Sequence, residues 1–126
     1  MFEQATWLVR LKVSVLNYKI NPNFNINCGF VVTGVAVCDA IVQTNAILGD
    51  LPANLYKSID YKTTSAMIGS IFCDRLADVV GAIVNPIEKG HPDLVPPSAI
   101  NCTEEELRNY PEGLEIKCTI GNIEAG

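Results

Sequence analysis

The sequence predicts an α/β fold of the α+β kind, with helices flanking a small β-sheet. Residues 63–84 repeat their apolar side chains at spacings of three and four, which marks an amphipathic helix. Residues 114–120 alternate strictly between apolar and polar, which marks a half-buried strand. Of the 126 residues 48% are hydrophobic and 18% charged, so the chain can bury a core and does not have a disordered composition. No repeat, low-complexity tract or interior linker divides it, and 1–126 reads as a single domain.

Taken in order, residues 7–20 carry two periods at once. Leu11, Val13 and Val15 alternate with Lys12 and Ser14, while Leu8, Leu11 and Val15 share a helical face, so both helix and strand stay open. Asn21-Pro22-Asn23 breaks the segment. Residues 31–48 are rich in Val and Ala, with Val31, Val35, Cys38 and Val42 on one stripe, and predict a helix that Gly49-Asp50-Leu51-Pro52 ends. In the long helix Ile68, Ile71, Phe72, Leu76, Val79, Val80 and Ile83 form the apolar face, and Asn85-Pro86 is its expected stop. Asp74 and Asp78 lie one turn apart and point away from that face, either as solvated charges or as a helical carboxylate of a site. A loop-rich stretch, 87–110, follows. Within it Thr103 and Glu106 have capping-box spacing, so Glu104-Glu105-Glu106 reads as the charged first turn of a short helix.

Nine Lys and Arg against 14 Asp and Glu give a net charge of −5, which excludes binders whose affinity comes from a broadly basic surface. It leaves room for an enzyme that reaches DNA through a local site with bound metal. Lys57, Lys62, Arg75, Lys89 and Arg108 are basic residues that could touch phosphates, scattered along the chain. The five cysteines are odd in number and form no C-x-x-C pair, and His91 is the single histidine, so no zinc site is spelled out. With no signal peptide and no apolar run of about 18 residues, the chain reads as cytoplasmic with no membrane span, its cysteines as small hydrophobes in a reducing compartment. Phosphate-binding glycine loops, a G-x-S-x-G elbow and a dinucleotide fingerprint are absent.

The residues that carry chemistry lie near the C-terminus. Residues two apart on a strand share a face, so Glu115 and Lys117 project together, opposite Leu114, Ile116 and Cys118. If the segment holding Asp93 runs beside that strand, Asp93 and Glu115 converge. Two carboxylates a few Å apart repel, and a hard divalent cation such as Mg²⁺ relieves the repulsion. A metal so held polarises a phosphoryl oxygen and acidifies bound water. A lysine beside it can hold that water or stabilise charge that develops in the transition state.

Pro92-Asp93 followed, after 21 intervening residues, by Glu115-Ile116-Lys117 resembles the signature of the PD-(D/E)XK nuclease superfamily, and within it type II restriction endonucleases. The resemblance implies a core of a helix, three antiparallel strands, a helix and a further strand in a small mixed sheet. Its first acid stands at the start of the second strand and its E-x-K on the third. It implies Asp93 and Glu115 as metal ligands, Lys117 as the catalytic lysine, and the Ile116 carbonyl completing a Mg²⁺ site. A helical acid found in many relatives would fall on Asp74 or Asp78. Double-stranded DNA would be the substrate and a homodimer the working form, since two-fold symmetry matches palindromic sites. The chain runs nine residues past Lys117, short of that core's second helix and last strand, which implies the N-terminal portion of a larger catalytic domain, inactive by itself if the rest is required. Asp60-Tyr61-Lys62 also matches the second half of the motif but lacks an upstream Pro-Asp. The contrasting expectation is a non-catalytic interaction or assembly domain with an acidic surface. Glu115 and Lys117 would then be an exposed charge pair and Asp93 a turn residue.

Overall fold

The computed structural model describes residues 5–12 and 23–119. It is a mixed α and β fold, as the two periodicities predict. Strand β1 (Ala5–Lys12) is followed by a short hairpin of β2 (Asn25–Asn27) and β3 (Val31–Thr33), then by helices α1 (Gly34–Gly49), α2 (Ala53–Ser58) and α3 (Tyr61–Val80). Strands β4 (Ile83–Val84) and β5 (Leu94–Val95), a 3-10 turn (Pro97–Asn101), helix α4 (Glu104–Arg108) and strand β6 (Glu112–Thr119) complete the order.

The main sheet has the strand order β1-β6-β5-β4. Strands β4, β5 and β6 run antiparallel to one another in turn, while β1 pairs with β6 in parallel over its whole length. Helix α3 is thus followed by three antiparallel strands, β4, β5 and β6. Both edges of β6 are paired, so the strand that bears Glu115 and Lys117 lies inside the sheet. This settles the first half of the segment at 7–20 as a strand. Residues 13–22 and Ile120, the expected last residue of the 114–120 strand, lie outside the described residues.

Helix α3 starts where the Asp60 carboxylate accepts a hydrogen bond from the Thr63 N–H at 2.7 Å. Asp60 is therefore a helix cap, and its match to D-x-K is fortuitous. Thr64, Ile68, Phe72 and Leu76, four residues apart, are buried along one side of the helix. There Phe72 and Leu76 join Leu94, Leu114 and Ile116 from the sheet in the principal core. The helix stops at Gly81, whose φ of 72° closes it in the left-handed region that glycine adopts freely. Ile83, expected as the last helical contact before Asn85-Pro86, belongs instead to β4. Periodicity could not show this, because the spacing from Val79 to Ile83 fits a helix equally well.

Residues 31–33 are likewise strand, and α1 begins only after Thr33, whose hydroxyl accepts from the Ala36 N–H at 3.1 Å. The stripe of Val31, Val35, Cys38 and Val42 faces outward. Those valines are 52%, 61% and 53% exposed, whereas Ala40 and Thr44 are buried with Val37 and Ile41 packed on the core. So α1 is apolar on two sides and docks on α3 through the side of Val37, Ala40, Ile41 and Thr44. The capping box is present: Thr103 Oγ1 accepts from the Glu106 N–H at 3.2 Å and the Glu106 carboxylate accepts from the Thr103 N–H at 3.1 Å. All five cysteines are free thiols. Among the described residues no helix is long and apolar enough to cross a membrane.

Candidate functional site

Strand register brings the carboxylates together. In the antiparallel pairing of β5 with β6, Leu94 lies opposite Leu114, and both are fully buried. One step further along the pair, Asp93 comes opposite Glu115, and side chains so opposed share a face. The Asp93 Oδ2 accepts from the Ile116 N–H at 2.7 Å, which fixes the segment before β5 against β6. Asp93 and Glu115 are close enough for each carboxyl to shift the ionisation of the other. Lys117, two residues on from Glu115, favours the charged form of both acids and lines the same cavity as they do. Lys117 itself is exposed and makes no ion pair among the described residues.

These groups line an open cavity of about 440 Å³, to which α3 contributes the small residues Ser65, Ala66, Gly69 and Ser70. Lys89 reaches the same cavity from the loop between β4 and β5 and holds a left-handed φ of 60°, a conformation uncommon for residues other than glycine. Of the basic residues scattered along the chain, Lys89 thus stands at the site. Arg75 pairs instead with Asp74 at 2.7 Å, and Arg108 with Glu104 at 3.6 Å.

Asp74 and Asp78 are not part of this site. Both are exposed, both face Arg75 (Asp78 at 3.9 Å), and neither lines the cavity. Helical rotation explains it: the face toward the sheet passes through Cys73, Phe72 and Leu76, and the two aspartates lie off it. The helical acid implied by the resemblance therefore has no counterpart at either position.

His91 joins the site, a role the sequence analysis did not foresee. Its Nδ1 lies 2.7 Å from Glu115 Oε2, so Glu115 is held between Asp93 on one side and an imidazole on the other. Local pattern carried no signal for it: residues 92 and 93 form a bend rather than extended strand, so the period of two does not carry from His91 to Asp93.

Burial and the close Glu115 carboxyl together push the Asp93 pKa up to about 6, against the pull of the Ile116 N–H and Lys117. Partial burial acts upward on Glu115 too. The hydrogen bonds from Asp93 and His91 and the positive charges of His91 and Lys117 outweigh it and hold Glu115 below the usual glutamate range. Of the two acids, Asp93 is the one that takes up a proton more readily. In the unfolded chain Asp93 ionises at its ordinary value of 3.8, so between about pH 4 and 6 the folded state binds the extra proton. That contribution to stability is fully present below pH 3.8 and is lost as pH rises through about 6. Glu115 has the opposite sign. Its contribution is present above its ordinary 4.5 and is lost at lower pH, so the interval from about 4.5 to 6 belongs to Asp93. Metal-free wild type should lose about 1 kcal/mol across that interval, allowing for solvent screening of a half-exposed group. Asp93→Asn keeps an acceptor for the Ile116 N–H and cannot ionise, so thermal melts at pH 4.5, 5.5 and 6.5 should show no such fall. An equal fall in the variant would place the titrating group elsewhere.

Two adjacent carboxylates offer hard oxygen donors. Mg²⁺ is commonly bound through one or two carboxylates, keeping water and substrate oxygens in its remaining positions, and Asp93 and Glu115 fit that chemistry. Among the described residues no group of three or more His, Cys, Asp or Glu side chains forms a ready cage. Soft-metal or thiolate chemistry is disfavoured at the cavity. Burial, reinforced by the charges of Asp93 and Glu115, pushes the Cys73 thiol up to about 12, and burial raises Cys118 as well.

Comparison with known proteins returns no matching family model, no matching curated protein and no matching solved structure.

Proposed function

We propose that this chain is a Mg²⁺-dependent endonuclease, or the N-terminal portion of one, which hydrolyses phosphodiester bonds in double-stranded DNA in the manner of type II restriction endonucleases of the PD-(D/E)XK superfamily. The observation that carries the reading is the register of β5 on β6, which sets Asp93 across from Glu115 with Lys117 on the same strand and face. The order of α3, β4, β5 and β6, with the first acid just before the second of these strands and E-x-K on the third, is the one the resemblance implies.

In this proposal Asp93 and Glu115 hold the cation, the Ile116 carbonyl adds a backbone oxygen, and the cation supplies Lewis acidity and a water of lowered pKa. Binding requires Asp93 to give up its proton, so affinity should rise as pH passes through about 6. Lys117, free of any ion pair among the described residues, is available to orient the attacking water and to neutralise charge growing on the phosphoryl oxygens. The open cavity admits a backbone phosphate without requiring the net-negative chain to be basic overall. Two copies acting on the two strands would make a homodimer.

The test is incubation of the full-length protein with plasmid and phage DNA in Mg²⁺. Discrete fragments that vanish when EDTA removes the metal are the expected result. Intact DNA across diverse substrates, with a melting temperature indifferent to Mg²⁺, would overturn it.

One observation favours a second reading, a non-catalytic interaction or assembly domain: the outer face of α1 exposes Val35 and Val42, with Val31 beside them. A partner-binding module would bind no cation and be unaffected by EDTA.

A further inference from the structure

We infer that His91 is a positioning residue for the proposed cation site: its imidazole holds the Glu115 carboxylate from the solvent side and keeps it turned toward Asp93. This rests on the reading of Asp93 and Glu115 as cation ligands and goes beyond it, because it assigns the outer partner that aims one of them.

The contact is short and its polarity is set by chemistry. Nδ1 of His91 lies 2.7 Å from Glu115 Oε2. An ionised carboxylate only accepts, so Nδ1 is the nitrogen that carries the hydrogen. Glu115 has several rotatable bonds, and a carboxylate with one neighbour can swing about it. With Asp93 on one side and His91 on the other it is confined to one orientation. Carboxylates that ligate metals are characteristically held by such outer hydrogen bonds.

Packing does not hold the imidazole, which is 58% exposed, against 19% for Glu115. The backbone does. The His91 N–H donates to the Arg108 carbonyl at 3.1 Å, and the His91 carbonyl accepts from the Tyr110 N–H at 2.7 Å. Both main-chain groups of His91 are thereby tied to the end of α4 and the residues just after it. The preceding loop is clamped by Asn85. Its Nδ2 donates to the carbonyls of Pro92 at 3.1 Å and Leu107 at 2.7 Å, and its Oδ1 accepts from the Ile87 N–H at 3.1 Å. Gly90 makes room for that amide, since a Cβ there would stand 2.6 Å from Asn85 Oδ1. A loop with little regular structure is thus held at many backbone points. Its one outward-lying histidine reaches back to a half-buried ligand.

A surface His–Glu pair that merely adds charge attraction would leave cation binding unmoved. The measurement is therefore Mn²⁺ binding by titration calorimetry on the full chain, in wild type, His91→Ala, His91→Asn and Glu115→Gln. DNA cleavage is measured in parallel. Asparagine places an amide N–H near the position of Nδ1 and restores the donor without the ring. Outer-partner loss at metal sites costs about 10–100-fold in affinity. His91→Ala is expected to weaken Mn²⁺ by at least about tenfold on that scale, and His91→Asn to recover most of it, with melting temperatures unchanged. Glu115→Gln should bind still more weakly.

Mn²⁺ binding by His91→Ala as tight as wild type, or tighter, would overturn the inference while leaving the nuclease reading to the cleavage assay. The expected binding pattern with uncut DNA would uphold His91 and sink the nuclease reading. Absence of Mn²⁺ binding in wild type would overturn both.

Discussion

Lys117→Ala should eliminate DNA cleavage, slowing it by about 10²–10⁴-fold, while leaving the fold and its melting temperature as they are. The two halves of that expectation have different causes. Lys117 is exposed and without an ion pair among the described residues, so its removal opens no cavity and orphans no buried charge. Its side chain lines the same cavity as the two carboxylates that would hold the cation. It is thus a positive group placed to meet an incoming phosphate and its water. Lys117→Arg keeps the charge but replaces a compact ammonium by a planar fork, and should recover little. The assay is the rate of plasmid nicking in Mg²⁺, beside thermal melts of the same preparations. A Lys117→Ala protein that cuts at the wild-type rate would refute the proposed mechanism even if the Asp93 and Glu115 variants were dead.

Gly113→Ala should damage fold and site together. Gly113 has a φ of 144°, which side-chain-bearing residues rarely adopt, and a Cβ there would overlap the Leu94 carbonyl oxygen and Pro92 Cγ. Both belong to the segment that carries Asp93. Backbone strain and overpacking each cost about 1–3 kcal/mol, so a loss of about 2–5 kcal/mol is expected. At about 4 °C or more per kcal/mol for a domain near this size, the melting temperature should fall by roughly 10–20 °C. The mechanism has a second signature. Pushing β5 off β6 separates Asp93 from the Ile116 N–H and from Glu115, so the surviving folded protein should lose its Mn²⁺ affinity as well. A variant that melts within a few degrees of wild type and binds Mn²⁺ normally would show that the two strands can part at this point without consequence.

The contrast between these substitutions separates what the site does from what holds it. Lys117 is an accessory of a strand already paired on both sides. Gly113 is the reason that the neighbouring strand can come close enough for Asp93 to reach across.

Local pattern carried a good deal of this protein. The alternation of Leu114, Ile116 and Cys118 with Glu115 and Lys117 sorted the strand's two faces correctly, because a period of two is a property of the backbone and needs no partner. The apolar repeat through Ile68, Phe72 and Leu76 identified α3, and Thr103 with Glu106 identified the start of α4, since helix periodicity and capping are equally local. The ends of elements were less legible. Val31–Thr33 and Ile83–Val84 are β-branched or apolar runs that fit either period, and pairing with a partner strand decided them.

Other features were settled only by the tertiary structure. The parallel pairing of Ala5–Lys12 with Glu112–Thr119 joins opposite ends of the described chain and leaves no mark in either segment. The outward valines of α1 were set by which of its two apolar sides met α3. The convergence of Asp93 on Glu115 required the register of Leu94 on Leu114, and the hydrogen bond from His91 required a loop tied down by Asn85, Arg108 and Tyr110. Residue type and spacing determine which groups are present and which face of an element they occupy. Distance across the fold depends on register, and register is chosen by burial of the whole sheet at once.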